Sequence, residues 1–210
     1  MTSTTTAARG RIDKRQAILE AAFDVFARRG YAQACVKEIA EAAKVAKPTV
    51  YNHLNDKETL FRQALERAAD AVAADAVAAL DPLRAPGDDP RAAFLDTARR
   101  LLAVFTADRA RSLRWLTYAQ VGVFPDLVET VTSRTQTRLA ESLADRLARL
   151  ALSGHLHRTD PTTAAEHFLA LLTGPLEHRS ALGTREVTPA EVEAVAEAGV
   201  KVFLRAYGAR

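Results

Sequence analysis

The sequence predicts an all-α protein of about nine helices, with a small three-helix domain at the amino end and a larger helical bundle after it. Three observations predict this. Apolar residues recur at helical spacing along most of the chain. No alternating apolar and polar run with an Asn-Gly or Asp-Gly turn occurs. Proline, glycine and aspartate gather where one periodic stretch gives way to the next. With 48% hydrophobic and 26% charged residues in 210, the chain can bury a sizeable core.

Residues 1–10 have no periodicity and read as a flexible basic tail. Ile18, Leu19, Ala22, Phe23, Val25 and Phe26 form the first helical stripe, closed at Arg28-Arg29-Gly30 by cations and a glycine. Val36, Ile39, Ala40 and Ala43 make a second, short stripe, and a third starts at Pro48, suited to a first turn, and continues through Leu54. Asp56 is a candidate N-cap for a long Ala-rich helix from about Lys57 to Leu80. Three prolines between Asp81 and Pro90 mark a linker. Periodic segments follow near 90–107, 109–122, 126–153, 161–181 and 189–206, and Pro175 predicts a kink in the fourth of these. The organisation expected is a tail (1–10), a helix-turn-helix domain (11–57), a connecting helix (58–80) and a second domain (81–210).

Several function classes are excluded. The sequence has no P-loop, no G-x-S-x-G, no H-E-x-x-H and no dinucleotide glycine fingerprint, so no catalytic residue and no cofactor are assigned. The single cysteine, Cys35, makes no internal disulfide, and His155, His157, His167 and His178 lack a compact ligand spacing, so no metal is assigned. No apolar run reaches the roughly 18 residues of a membrane span, and the amino end has no secretory signal, so the chain reads as soluble and cytoplasmic. The formal charge of +3 is uneven: residues 1–67 hold 12 basic and 8 acidic side chains, including five of the six lysines. A polyanion partner for that third is one reading, and a solvated surface is the other.

Two short helices covered by a preceding one make the minimal helix-turn-helix, here from Cys35 to Leu54. The run VKEIAEAAKVAKPTVYNHLNDKETL, Val36 to Leu60, resembles the TetR family of bacterial transcriptional regulators in spacing, apolar positions and the Thr, Tyr, His and Lys. Three positions depart from that pattern. Lys44 stands where the family has Gly, and Ala46 and Cys35 replace the hydroxyl residues expected at two helix starts, which weakens both caps by about 1 kcal/mol each. Val50 and Leu54 are the inward face of the third helix. The resemblance implies double-stranded DNA as partner, read at base edges by Lys47, Pro48 and Lys37 and held at phosphates by Thr49, Tyr51, His53 and Lys57, with Asn52 on the same face. Arg9 and Arg11 could enter a minor groove or touch nothing.

Beyond residue 80, RWLTYAQVGVFPDL (Arg114 to Leu127) and LALLTGPL (Leu169 to Leu176) resemble TetR regulators with an AefR-like carboxy-terminal domain. That resemblance implies a repressor at the bacterial nucleoid, released from a palindromic operator by a small apolar effector, and a homodimer through the last two long helices. Phe105, Trp115, Tyr118, Phe124, Phe168 and Leu171 are candidates for the effector pocket, with Arg114, Gln120 and His178 as polar groups, although aromatics at helical spacing also suit plain core. Val192, Val195, Ala196, Gly199, Val200, Phe203 and Leu204 form an apolar stripe expected at the dimer seam.

Overall fold

The computed structural model describes residues 3–209 apart from 88 and 182, with side chains from residue 13 onward. Among these residues ten α-helices occur: α1 (Ser3–Gln33), α2 (Val36–Ala42), α3 (Lys47–His53), α4 (Lys57–Ala78), α5 (Pro90–Thr106), α6 (Asp108–Ala119), α7 (Pro125–Thr132), α8 (Arg138–Leu152), α9 (Pro161–Arg179) and α10 (Pro189–Tyr207). A π turn, Ser133–Thr137, runs directly from α7 into α8. The predicted segment 126–153 is this α7, π turn and α8 together, and with those two helices counted as one rod the expected nine are present. The backbone is helical from Ser3, inside the expected tail, while the side chains of Arg9 and Arg11 lie outside the described residues.

The local chemistry explains where the helices stop. α1 breaks at Gly30, whose φ of 73° and ψ of 165° suit only a residue without a Cβ. Cys35 and Ala46 stand at the N-caps of α2 and α3, and neither makes a side-chain cap bond, as the departures from the family pattern predict. Lys44 occupies the turn between these helices at φ 55°, the conformation for which the family keeps glycine. Asp56 accepts from the Thr59 amide at 2.6 Å, and Asp89 and Asp160 cap α5 and α9 in the same way. Pro175 lies inside α9, which continues to Arg179.

The chain divides into two compact units. The first comprises residues up to Asp70 together with Ser112–Val131, and the second comprises Ala71–Arg111 and Thr132 onward. Segment 112–131, which the sequence groups with everything after residue 80, therefore packs with the amino-terminal head.

In the first unit Ile18, Ala22, Val25 and Phe26 of α1, Ile39 of α2 and Val50 of α3 are buried, and α2 packs on both α1 and α3. In the second, α9 packs on α8 and α10, and α10 packs on α5. The rings of Phe94, Phe168 and Phe203 lie 5.0–5.6 Å apart at its centre.

The α10 stripe expected at a dimer seam is largely spent inside one chain. Val195, Ala196, Gly199, Val200 and Phe203 are buried. A Cβ on Gly199 would stand 3.0 Å from Leu172 Cδ2, so α9 packs closely on α10 of the same chain at this glycine. An apolar stripe of α10 is exposed instead at Ala194, Ala198 and Val202.

Candidate nucleic-acid interface

Helix α3 is held from beneath by Val50 and Leu54, both buried, and this fixes which side chains face outward. Lys47, Pro48, Tyr51 and Asn52 are exposed, and Thr49 and His53 are half-buried at its edges. The Lys47 ammonium lies 5.9 Å from the Tyr51 ring centre, so a cation and a phenol share one short surface. Lys37 projects from α2 beside Glu41, at 3.8 Å. Arg28 and Arg29, at the end of α1, both approach Glu38.

Lys57 faces two ways. Its ammonium donates to the Ala32 carbonyl at 3.0 Å and sits 5.0 Å from the Tyr31 ring centre, which ties the start of α4 to the end of α1. An ammonium carries three donors, so this bond leaves two for a phosphate. At the start of α2 the amides of Lys37 and then Glu38 lower the Cys35 thiol pKa.

The head has a second layer that sequence reasoning missed. Phe26, Tyr31, Phe61 and Phe124 form a ring nest with centroid spacings of 4.8 to 6.1 Å. Phe124 enters it from the start of α7. Over the Phe124 ring, at 4.8 Å, lies the Arg62 guanidinium, whose two terminal nitrogens donate to Asp126 at 2.6 and 3.3 Å while Nε donates to Glu58 at 2.8 Å. The Arg62 hydrogen bond holds the Asp126 carboxyl below its ordinary pKa. Burial, followed by the charges of Glu58 and Asp56, pushes the Tyr31 phenol up. No local pattern pairs residues 62 and 126, and the only sequence signal was that Phe124 and Phe61 are apolar.

The nine predicted pocket residues fall in both units. Trp115 and Tyr118 of α6 are about half exposed, at 51% and 54%, Arg114 and Gln120 are half-buried, and Phe124 belongs to the ring nest. These five lie with the head. Trp115 rests against the α1 break, its Cη2 being 3.6 Å from where a Gly30 Cβ would stand. In the second unit Phe168 is core, Phe105 and Leu171 are half-buried against that core, and His178 is exposed on α9. Among the histidines, His167 shares a hydrogen bond with the Tyr207 hydroxyl and His155 with Ser153.

Residues 18–64, which hold α2, α3 and their supports, match the model of the bacterial regulatory proteins of the tetR family, and residues 92–209 match that of the AefR-like transcriptional repressor carboxy-terminal domain. The chain belongs to the TetR family. A solved TetR-family regulator from Mesorhizobium loti is 31% identical and superimposes with a TM-score of 0.87 over 94% of this chain and 98% of that one. The flavonoid-responsive regulator FrrA is 27% identical, with a TM-score of 0.70 over 94% and 98%. Among curated proteins, the transcriptional repressor AcnR of Corynebacterium efficiens is 25% identical over 90% of this chain and 94% of its own. The protein is thus a DNA-binding transcriptional regulator. No helix of the described residues is long and apolar enough to cross a membrane.

Proposed function

We propose that the protein is a cytoplasmic homodimeric repressor that binds a palindromic operator and is released by a small, mostly apolar molecule, with aromatic and anionic groups admitted. One observation carries the release step. Helices α4 and α6 each belong to both compact units, α4 dividing after Asp70 and α6 after Arg111. In this reading a ligand that repacks the second unit acts on chain that continues through both helices into the DNA head. Because DNA fixes the spacing of its half-sites, a ligand that prefers the other conformer weakens operator binding by its differential affinity, typically about 1–3 kcal/mol.

In this reading Lys47, Pro48 and Lys37 touch base edges, and Thr49, Tyr51, Asn52, His53 and Lys57 position the head on the backbone. Phe105, Phe168, Leu171 and His178 belong to the ligand-holding unit, and Arg114, Trp115, Tyr118, Gln120 and Phe124 pass its state to the head. The dimer forms on the outer faces of α9 and α10, where Ala170, Gly174, Ala194, Ala198 and Val202 are exposed. The names of AcnR, a repressor, and of FrrA, which responds to flavonoids, favour repression and an aromatic effector.

Selection of bound duplexes from a random pool tests the reading. The expected result is a palindrome with half-sites about one helical turn apart, ~34 Å. Enrichment of a single non-repeated site, or of none, overturns it.

A further inference from the structure

Thr97 lies on the buried face of α5, with Ala93 and Phe94 one turn before it and Leu101 one turn after, and it is wholly shielded from solvent. A threonine inside a helix can turn its hydroxyl back onto the carbonyl four residues earlier. Four helical threonines here do so: Thr106 onto Leu102 at 2.8 Å, Thr117 onto Leu113 at 2.7 Å, Thr130 onto Asp126 at 2.9 Å and Thr173 onto Leu169 at 3.0 Å. Thr97 differs, since its Oγ1 is buried and has no hydrogen-bond partner. The other two buried polar residues among the described residues, Thr117 and Ser180, are both bonded to backbone carbonyls. An orphaned hydroxyl destabilises a core, and valine would fill almost the same volume without it. A trapped water is a poor remedy, because it needs two to four polar partners and the neighbours of Thr97 on its helix face are apolar.

We propose that Thr97 is a ligand-binding residue, its hydroxyl anchoring a neutral, mostly apolar small molecule that carries one hydroxyl or carbonyl oxygen and enters the core of the second unit. The proposal rests on the effector reading above and narrows it. Ala93, Phe94 and Leu101, with the half-buried Val104 and Phe105 further along α5, offer an apolar contact surface. The hydroxyl adds one directional bond and both donates and accepts, so a phenol and a ketone are each satisfied. A charged ligand is disfavoured: the nearest cations along the helix, Arg99 and Arg100, are exposed and bonded to Glu193 and Asp96, so neither offsets a buried ion.

The test uses the full chain and two probes of nearly equal shape, 2-naphthol and 2-methylnaphthalene, with binding followed by their own fluorescence. The unmodified chain should bind the naphthol about tenfold more tightly, as one hydrogen bond to a buried hydroxyl provides. In Thr97→Val the preference should shrink to within about twofold and the ligand-free protein should melt at a higher temperature, whereas Thr97→Ser should keep the preference. If Thr97→Val retains the preference, or melts lower without ligand, Thr97 is not the anchor although an effector site exists. If the unmodified chain binds neither probe, the effector reading falls and the anchor falls with it.

Discussion

Arg62 grips Asp126 through both terminal nitrogens while its guanidinium covers the Phe124 ring, so one side chain of α4 holds the start of α7 by charge and by a flat apolar face together. The two modes contribute unequally. The ion pair is exposed at its Asp126 end and screened by water, whereas the buried ring closes the nest around Tyr31 and Phe61.

Phe124→Ala should therefore cost about 3–5 kcal/mol and Asp126→Ala far less, as measured by denaturant unfolding. Hydrogen exchange should place the loosening of both variants in residues 112–131. Equal costs for the two would show that the ring is not the principal tie.

On DNA, Lys47→Ala should lower affinity for the operator more than for random duplex, with about 1–3 kcal/mol of sequence preference lost. Lys57→Ala should weaken binding to all duplexes alike and reduce the salt slope by about 1. It should also lower the melting temperature, because the Lys57 ammonium holds the Ala32 carbonyl. If Lys57→Ala binds DNA as the unmodified chain does, the lysine serves the fold alone.

At φ 55° the Lys44 backbone sits where an L-residue is strained. Replacement by glycine should stabilise the head by about 1 kcal/mol, readable as a higher denaturant midpoint with an unchanged slope. A lower midpoint would mean that the lysine side chain contributes more than its backbone costs.

Acid should loosen the start of α10 late. The Arg185 guanidinium and the Thr188 amide hold the Glu191 carboxyl down at about 2, against an ordinary 4.5. A depressed carboxyl contributes stability that is full above pH 4.5 and fades as pH falls toward 2. Glu191→Gln should thus lower the melting temperature at pH 6 and converge with the unmodified protein near pH 2. A constant difference across that range would rule out the charge as the cause.

The helices, the reading head and its strained turn were legible because each is written in neighbouring residues: the α3 face in Val50 and Leu54, the turn in Lys44. What an apolar face meets is not written locally. Phe124, a candidate pocket aromatic, packs as the fourth ring of the head, and the stripe from Val195 to Phe203, expected at a seam between chains, is buried where α10 packs on α5 and α9 of its own chain. In both cases periodicity declares burial but is silent about the partner. The π turn inside 126–153 left no trace either, since one wider turn in a polar stretch, Ser133 to Thr137, disturbs no apolar register.

Trp115, the one indole of the chain, leans on the backbone break at Gly30 with half its surface open to water. Emission excited from the indole apart from the four tyrosines is consequently an optical gauge of that single joint. A shift in its wavelength reports a change in the hydration of α6 where it meets the end of α1.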